Sequence, residues 1–171
     1  NIAIKLVRYA TELQKPNEKR YEEYRDSNLE SLKFRLLSPA PIYTEIEEMM
    51  LGNSLHLAVE NLGKEDAFVK LALADKAPSD LSKSLISKTK LMNISLRKEL
   101  LAGGQEAIQK SKDPLIIWAV QIDPILRKDR DWYDDEIESV QAIEGNKLSQ
   151  LKFKSYGKST YPDATFTLRM S

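Results

Sequence analysis

The sequence predicts an all-α protein, a multi-helix bundle that ends in a long C-terminal helix and a single β-strand segment. Three observations predict it. Apolar residues recur at steps of three and four through most of the chain, the signature of helices with one buried face. Proline, glycine and Asp-Pro signals cut that pattern into helix-sized pieces. Only residues 165–170 alternate, with Phe166, Leu168 and Met170 set against Thr165, Thr167 and Arg169. That is the two-residue period of a half-buried strand, and no second run of the kind exists to pair with it.

Residues 2–14 place Ile2, Leu6, Tyr9 and Leu13 on one helical face, and Pro16 ends the run. EKRYEEYRDS and NLESLKFRLLS read as short helical stretches, the second with Leu29, Leu32 and Leu36 on one side. SPAPIY at 38–43 is a rigid break, because two prolines remove two donors and push their predecessors to extended geometry. Residues 44–62 form a helix opened by a capping box of Thr44 and Glu47. Ile46, Met50 and Leu57, with Leu51 and Leu55, are expected to face inward, and Gly63 closes the helix. Helices at about 64–75, 79–88 and 93–102 follow, the last stopped by Gly103 and Gly104.

Asp113-Pro114 and Asp123-Pro124 each set a capping carboxylate before a proline at the first helical position. They predict a helix over 113–121, a bend, and a long helix from 124 to about 156. Leu126, Tyr133, Ile137, Val140, Leu148 and Leu151 mark the expected buried stripe of that helix. Gly145 weakens its middle by about 1 kcal/mol relative to alanine, and Gly157 ends it.

At 171 residues the chain is one domain in size and buries about 70% of its unfolded surface without a staple. Its 26 basic and 26 acidic residues cancel, which argues against a nucleic-acid footprint or a polybasic membrane anchor. No apolar run reaches the length of a membrane span. The absence of cysteine removes thiol catalysis and Cys-ligated metals. Asn1 is not an initiator methionine and no signal pattern follows it, so the chain is expected to be part of something longer.

Candidates for chemistry are few. His56, the only histidine, sits mid-helix between leucines and reads as structural; one histidine and no cysteine cannot build a zinc site. The acidic run DRDWYDDEIE at 129–138 holds Asp131, Asp134, Asp135, Glu136 and Glu138. It reads as a solvated helix face laced by i,i+4 pairs of Arg127 with Asp131, Arg130 with Asp134, and Asp123 with Arg127. The order of residues is wrong for an EF-hand. Trp118 and the Trp132–Tyr133 pair read as core or inter-helix anchors. Gly103–Gly104 lacks the Gly-Lys-Ser/Thr of a phosphate loop, and Ser54 and Ser82 have no base nearby in sequence. No catalytic residue, metal site or cofactor is expected, and no substrate-binding residue can be assigned.

The tail YGKSTYPDATFTLRMS, residues 156–171, closely resembles the YGTSxYPDATFTLRLS stretch of bacterial serine dipeptidyl aminopeptidases, the dipeptidyl-peptidase 7 and 11 family. LLSPAPIYTEIEEMML at 36–51, KDPLIIWAVQIDP at 112–124 and RDWYDDEIE at 130–138 resemble that family's LLSPAPIYPELEE, DPLIxLARxLDP and RxRYEDEVE in the same order. KPNEKRYEEYRDSNLESL at 15–32 fits less tightly. Lys158 and Met170 depart from the pattern conservatively.

The resemblance implies a chymotrypsin-like double β-barrel with a His/Asp/Ser triad and an inserted helical domain that caps the cleft. On that reading residues 1–157 are most of the cap, and 158–171 begin the second barrel lobe, so the lone strand belongs to an absent barrel. The triad then lies outside this chain, and His56 does not match the family's catalytic histidine motif. The family's substrate-contacting asparagine cannot be aligned to Asn1, Asn28 or Asn53. Expected partners are peptide substrate in the full-length enzyme and the catalytic lobes of the same chain, with no nucleic acid and no membrane span. A homodimer through the unpaired strand stays open. The family implies a periplasmic or cell-surface location. The alternative is a non-enzymatic helical interaction module that uses its tail strand for β-augmentation.

Overall fold

A computed structural model describes residues 1–157, and every regular element among them is helical. The expected strand at 165–170 and the expected start of a barrel lobe at 158–171 lie outside the described residues. Two compact units are present, Asn1–Leu126 and the stretch from Arg127 onward.

In the first unit, α1 (Ile2–Glu12) starts where the Asn1 side chain accepts from the Ala3 N–H at 2.9 Å, a capping bond that satisfies an orphan donor. Ala3, Leu6, Val7 and Ala10 recur at helical spacing and are buried, because this face meets α6 and α2. The segment after α1 forms two 3₁₀ turns, Asn17–Lys19 and Glu22–Tyr24, in place of the expected helical stretch. Glu12 explains the difference. It is fully buried, takes the Lys15 ammonium at 2.8 Å and accepts from the Tyr21 N–H at 3.0 Å, and so pins the loop back on the helix end.

α2 (Asp26–Leu36) buries Leu32 and Leu36 as its periodicity predicts. Its C-terminal carbonyls find an unexpected partner. Arg97, 2% exposed, donates from Nη1 to the Leu36 carbonyl at 2.6 Å and from Nη2 to the Ser38 carbonyl at 3.3 Å. A guanidinium there meets the negative end of a helix dipole. It also anchors the proline-rich break between α2 and α3.

α3 (Thr44–Leu62) has the predicted bounds but not the predicted start or face. Tyr43, extended at φ −89°, holds the cap position, and Thr44 is already helical with its hydroxyl on Glu45, so the capping box does not form. Ile46, Met50 and Leu57 are exposed, while Leu55 is buried and Leu51 packs on the core. The helix approaches α5 through Gly52, where an added Cβ would stand 3.0 Å from Ser82 Oγ. A residue without a side chain lets the helices meet closely there, and that contact fixes which face turns inward. Gly63 closes α3 at φ +84°, as expected.

α4 (Ala67–Leu73) is capped by Asp66, which accepts from the Phe68 and Val69 N–H groups. α5 (Pro78–Lys88) starts on a proline. α6 (Ile94–Lys110) passes the expected stop: Gly104, at φ +53° and ψ −137°, kinks it, and the helix resumes to Lys110. The buried Trp118 joins two elements by donating its indole N–H to the Ala72 carbonyl at 2.9 Å, filling a vacancy at the end of α4.

α7 (Pro114–Tyr133) opens on Asp113 as predicted, with the Leu115 N–H donating to its carboxylate at 3.0 Å. The second Asp-Pro behaves differently. Pro124 lies inside α7, and the buried Asp123 binds Arg8 of α1 at 2.6 Å instead of capping a new helix. The expected fresh start at 124 is therefore absent, and α7 runs on through the proline.

In the second unit, α7 leads through a π-helical turn, Asp134–Glu138, into α8 (Ser139–Tyr156), which Gly157 ends at φ +55°. Tyr133, Val140, Leu148 and Leu151, expected to be buried, are exposed, and so is Trp132. Apolar residues are spread around α8, with Ile143, Phe153 and Tyr156 off the predicted stripe and also exposed. Among the described residues this unit holds only one continuous helical run, so its stripe has no second helix within the unit to meet.

Candidate functional site

The first residues of α5 open beside one face of α3 to form a groove of about 460 Å³. Glu45, Glu48, Gly52 and His56 recur at steps of three and four along that face, and Asn53 stands beside them. Ser79 and Ser82 face them from α5. The fold thus gathers His56, Asn53 and Ser82, three residues the sequence had offered separately. Their spacing along α3 was legible. That Ser82 faces them depends on the contact at Gly52, which no local pattern encodes.

The groove does not have the geometry of nucleophilic catalysis. That chemistry needs a hydroxyl donating to a base whose second nitrogen is oriented by another group. The Ser82 hydroxyl, buried against Gly52, donates to the Ser79 carbonyl at 3.0 Å. His56 turns along its own helix, with Nε2 3.3 Å from Glu60, and its side chain is 65% exposed. Histidine and serine make no hydrogen bond to each other among the described residues. His56 is therefore a solvent-facing residue whose contact is with Glu60, one turn on. What the groove can do is bind. Two carboxylates, an amide and a helix start offer polar contacts above an apolar edge formed by Met49 and Pro78.

The acidic run at 129–138 lies on α7 and the π turn. Arg130 reaches Asp134 at 3.4 Å, as the i,i+4 spacing predicts. Asp123 holds Arg8 of α1 at 2.6 Å. No cluster of three or more His, Cys, Asp or Glu side chains with metal-binding geometry occurs among the described residues. Of the other candidates, Ser54 spends its hydroxyl on the Met50 carbonyl at 2.8 Å, and Asn28 donates to the Glu22 carbonyl at 2.9 Å. Asn1 caps α1. Each of these polar groups serves its own backbone.

Among the described residues no helix is long and apolar enough to cross a membrane. Over residues 1–171 the chain matches the family model described as Peptidase S46.

Proposed function

The chain belongs to the Peptidase S46 family of dipeptidyl aminopeptidases, and on that footing we propose that residues 1–157 are the helical cap of a serine-type member of the dipeptidyl-peptidase 7 and 11 kind. Residues 158–171 then lead into the second barrel lobe. In this reading the cap supplies no catalytic group. It narrows the cleft by excluded volume two residues before the scissile bond, so that only a free peptide amino terminus fits. A serine of the barrel attacks the carbonyl carbon, histidine takes the hydroxyl proton and returns it to the leaving amine, and water releases the dipeptide from the acyl-enzyme. A cap that closes over bound peptide would also hold it in register with the serine.

The observation that carries the proposal is the pairing of an all-helical stretch with a peptidase family match along its whole length. The hydrogen bonds of Ser82 and His56 support it, since each is committed elsewhere than to a nucleophile–base pair. The exposed apolar side chains of α3, Ile46, Met50 and Leu57, also suit an interaction module without catalytic lobes, which is the second reading.

Fluorogenic dipeptidyl substrates separate the two. The purified 171-residue chain is expected to leave them intact, and the full-length polypeptide to cleave them and to spare the same peptides when N-terminally acylated. Turnover by the chain alone, or no peptidase activity in the full-length polypeptide, overturns the assignment.

A further inference from the structure

Four lysines converge where α5 and α6 end. Lys88 lies in the last turn of α5 and Lys90 just beyond it; Lys110 ends α6 and Lys112 follows. A groove of about 420 Å³ lies among them, with Leu96, Leu100, Ala107 and Pro114 contributing apolar lining. The two loops are held in register by one buried carboxylate. Asp113 accepts from the Thr89 hydroxyl at 2.8 Å and from the Lys90 N–H at 2.7 Å, and the same Oδ1 that takes the Thr89 hydroxyl accepts from the Leu115 N–H to cap α7. Its oxygens are thereby turned into the frame. Glu99 is the remaining carboxylate of the lining.

Lysines at helix ends are ordinary complements of the helix dipole. That accounts for Lys88 and Lys110. It does not account for Lys90 and Lys112, which lie past the helices. Lys110 pairs with Glu106 at 2.5 Å across an exposed surface, while Lys88, Lys90 and Lys112 make no ion pair among the described residues. In a chain whose charges cancel overall, this is a local excess of cations around an apolar trough. We infer that the groove binds an extended acidic peptide segment, with carboxylates on the lysines and intervening aliphatic side chains on the floor.

The lining favours peptide over the other polyanions. Single-stranded nucleic acid is held by aromatic platforms and an extended basic track, and this floor is aliphatic. Lysine is a mobile point charge that can follow carboxylates spaced along an extended chain, and the aliphatic lining suits apolar side chains between them. The inference does not require the cap assignment, because it is tested by binding and not by turnover.

The experiment is fluorescence anisotropy with the purified 171-residue chain and a labelled octapeptide alternating glutamate and leucine. Saturable binding that weakens with salt is expected. It should fall about tenfold in the Lys90→Glu/Lys112→Glu double variant, a free-energy change of about 1.4 kcal/mol. The milder Lys90→Gln/Lys112→Gln variant should fall less, and Lys33→Glu/Lys152→Glu, with the same charge change elsewhere, should bind as the parent does. Thermal melting checks that each variant is folded. Absence of saturable binding, equal loss in the two charge-reversed variants, or tighter binding of a single-stranded oligonucleotide than of the peptide overturns the inference.

Discussion

Replacing Asp113 by alanine tests the central joint of the first unit. The carboxylate caps α7 through the Leu115 N–H and holds the α5–α6 connection through Thr89 and Lys90. Loss of the cap costs about 1 kcal/mol. The Thr89 hydroxyl and the Lys90 N–H lose a charged acceptor at a site where water has little access, which costs about 1–3 kcal/mol. The total is about 3 kcal/mol. For a chain of this size that lowers the melting temperature by about 6–12 °C. Circular dichroism at 222 nm during heating, with urea midpoints as a second measure, reads the change directly. Asp113→Asn keeps one carbonyl for the cap but turns a donor toward the α5–α6 loop, so about half the loss is expected. If Asp113→Ala melts within about 2 °C of the parent, the carboxylate is not the joint described.

Arg97→Met removes the donors that satisfy Leu36 and Ser38. Burial, which pulls the guanidinium below its ordinary pKa, offsets part of the cost, leaving a loss of about 2 kcal/mol by urea denaturation. Arg97→Lys should not restore it, because a lysine cannot span both carbonyls with a rigid fork; full rescue would count against the two-carbonyl clamp. Gly52→Leu drives a side chain into Ser82 across the α3–α5 contact and should cost about 1–3 kcal/mol. Ser82→Gly in the same background should recover part of it, and strict additivity of the two changes would show that they do not share a contact.

Most helices could be read from the chain because their signals are local. Asp113-Pro114, Gly63 and Gly157 act as caps and stops through bonds or dihedrals within a few residues. The failures share the opposite property. Asp123-Pro124 carries the same dipeptide signal as Asp113-Pro114, yet Arg8, more than a hundred positions away, captures its carboxylate. α3 carries apolar residues on several sides, so periodicity alone could not choose its buried face. The close approach at Gly52 chose it. Arg97 belongs by type on the surface, and only the stranded carbonyls of α2 make its burial intelligible. The groove between α3 and α5 was illegible for the same reason: His56 and Asn53 announce one helix face, but Ser82 joins them by tertiary contact.

The five-residue π turn at Asp134–Glu138 makes chain length a variable in its own right. Deleting one residue from it would restore an ordinary α-helical winding. Because the wider turn already absorbs its extra residue, the side chains from Ser139 to Tyr156 would keep nearly the same bearing about the helix axis. Two homologues that differ by a single-residue gap at this point would therefore present nearly the same face of the helix that follows.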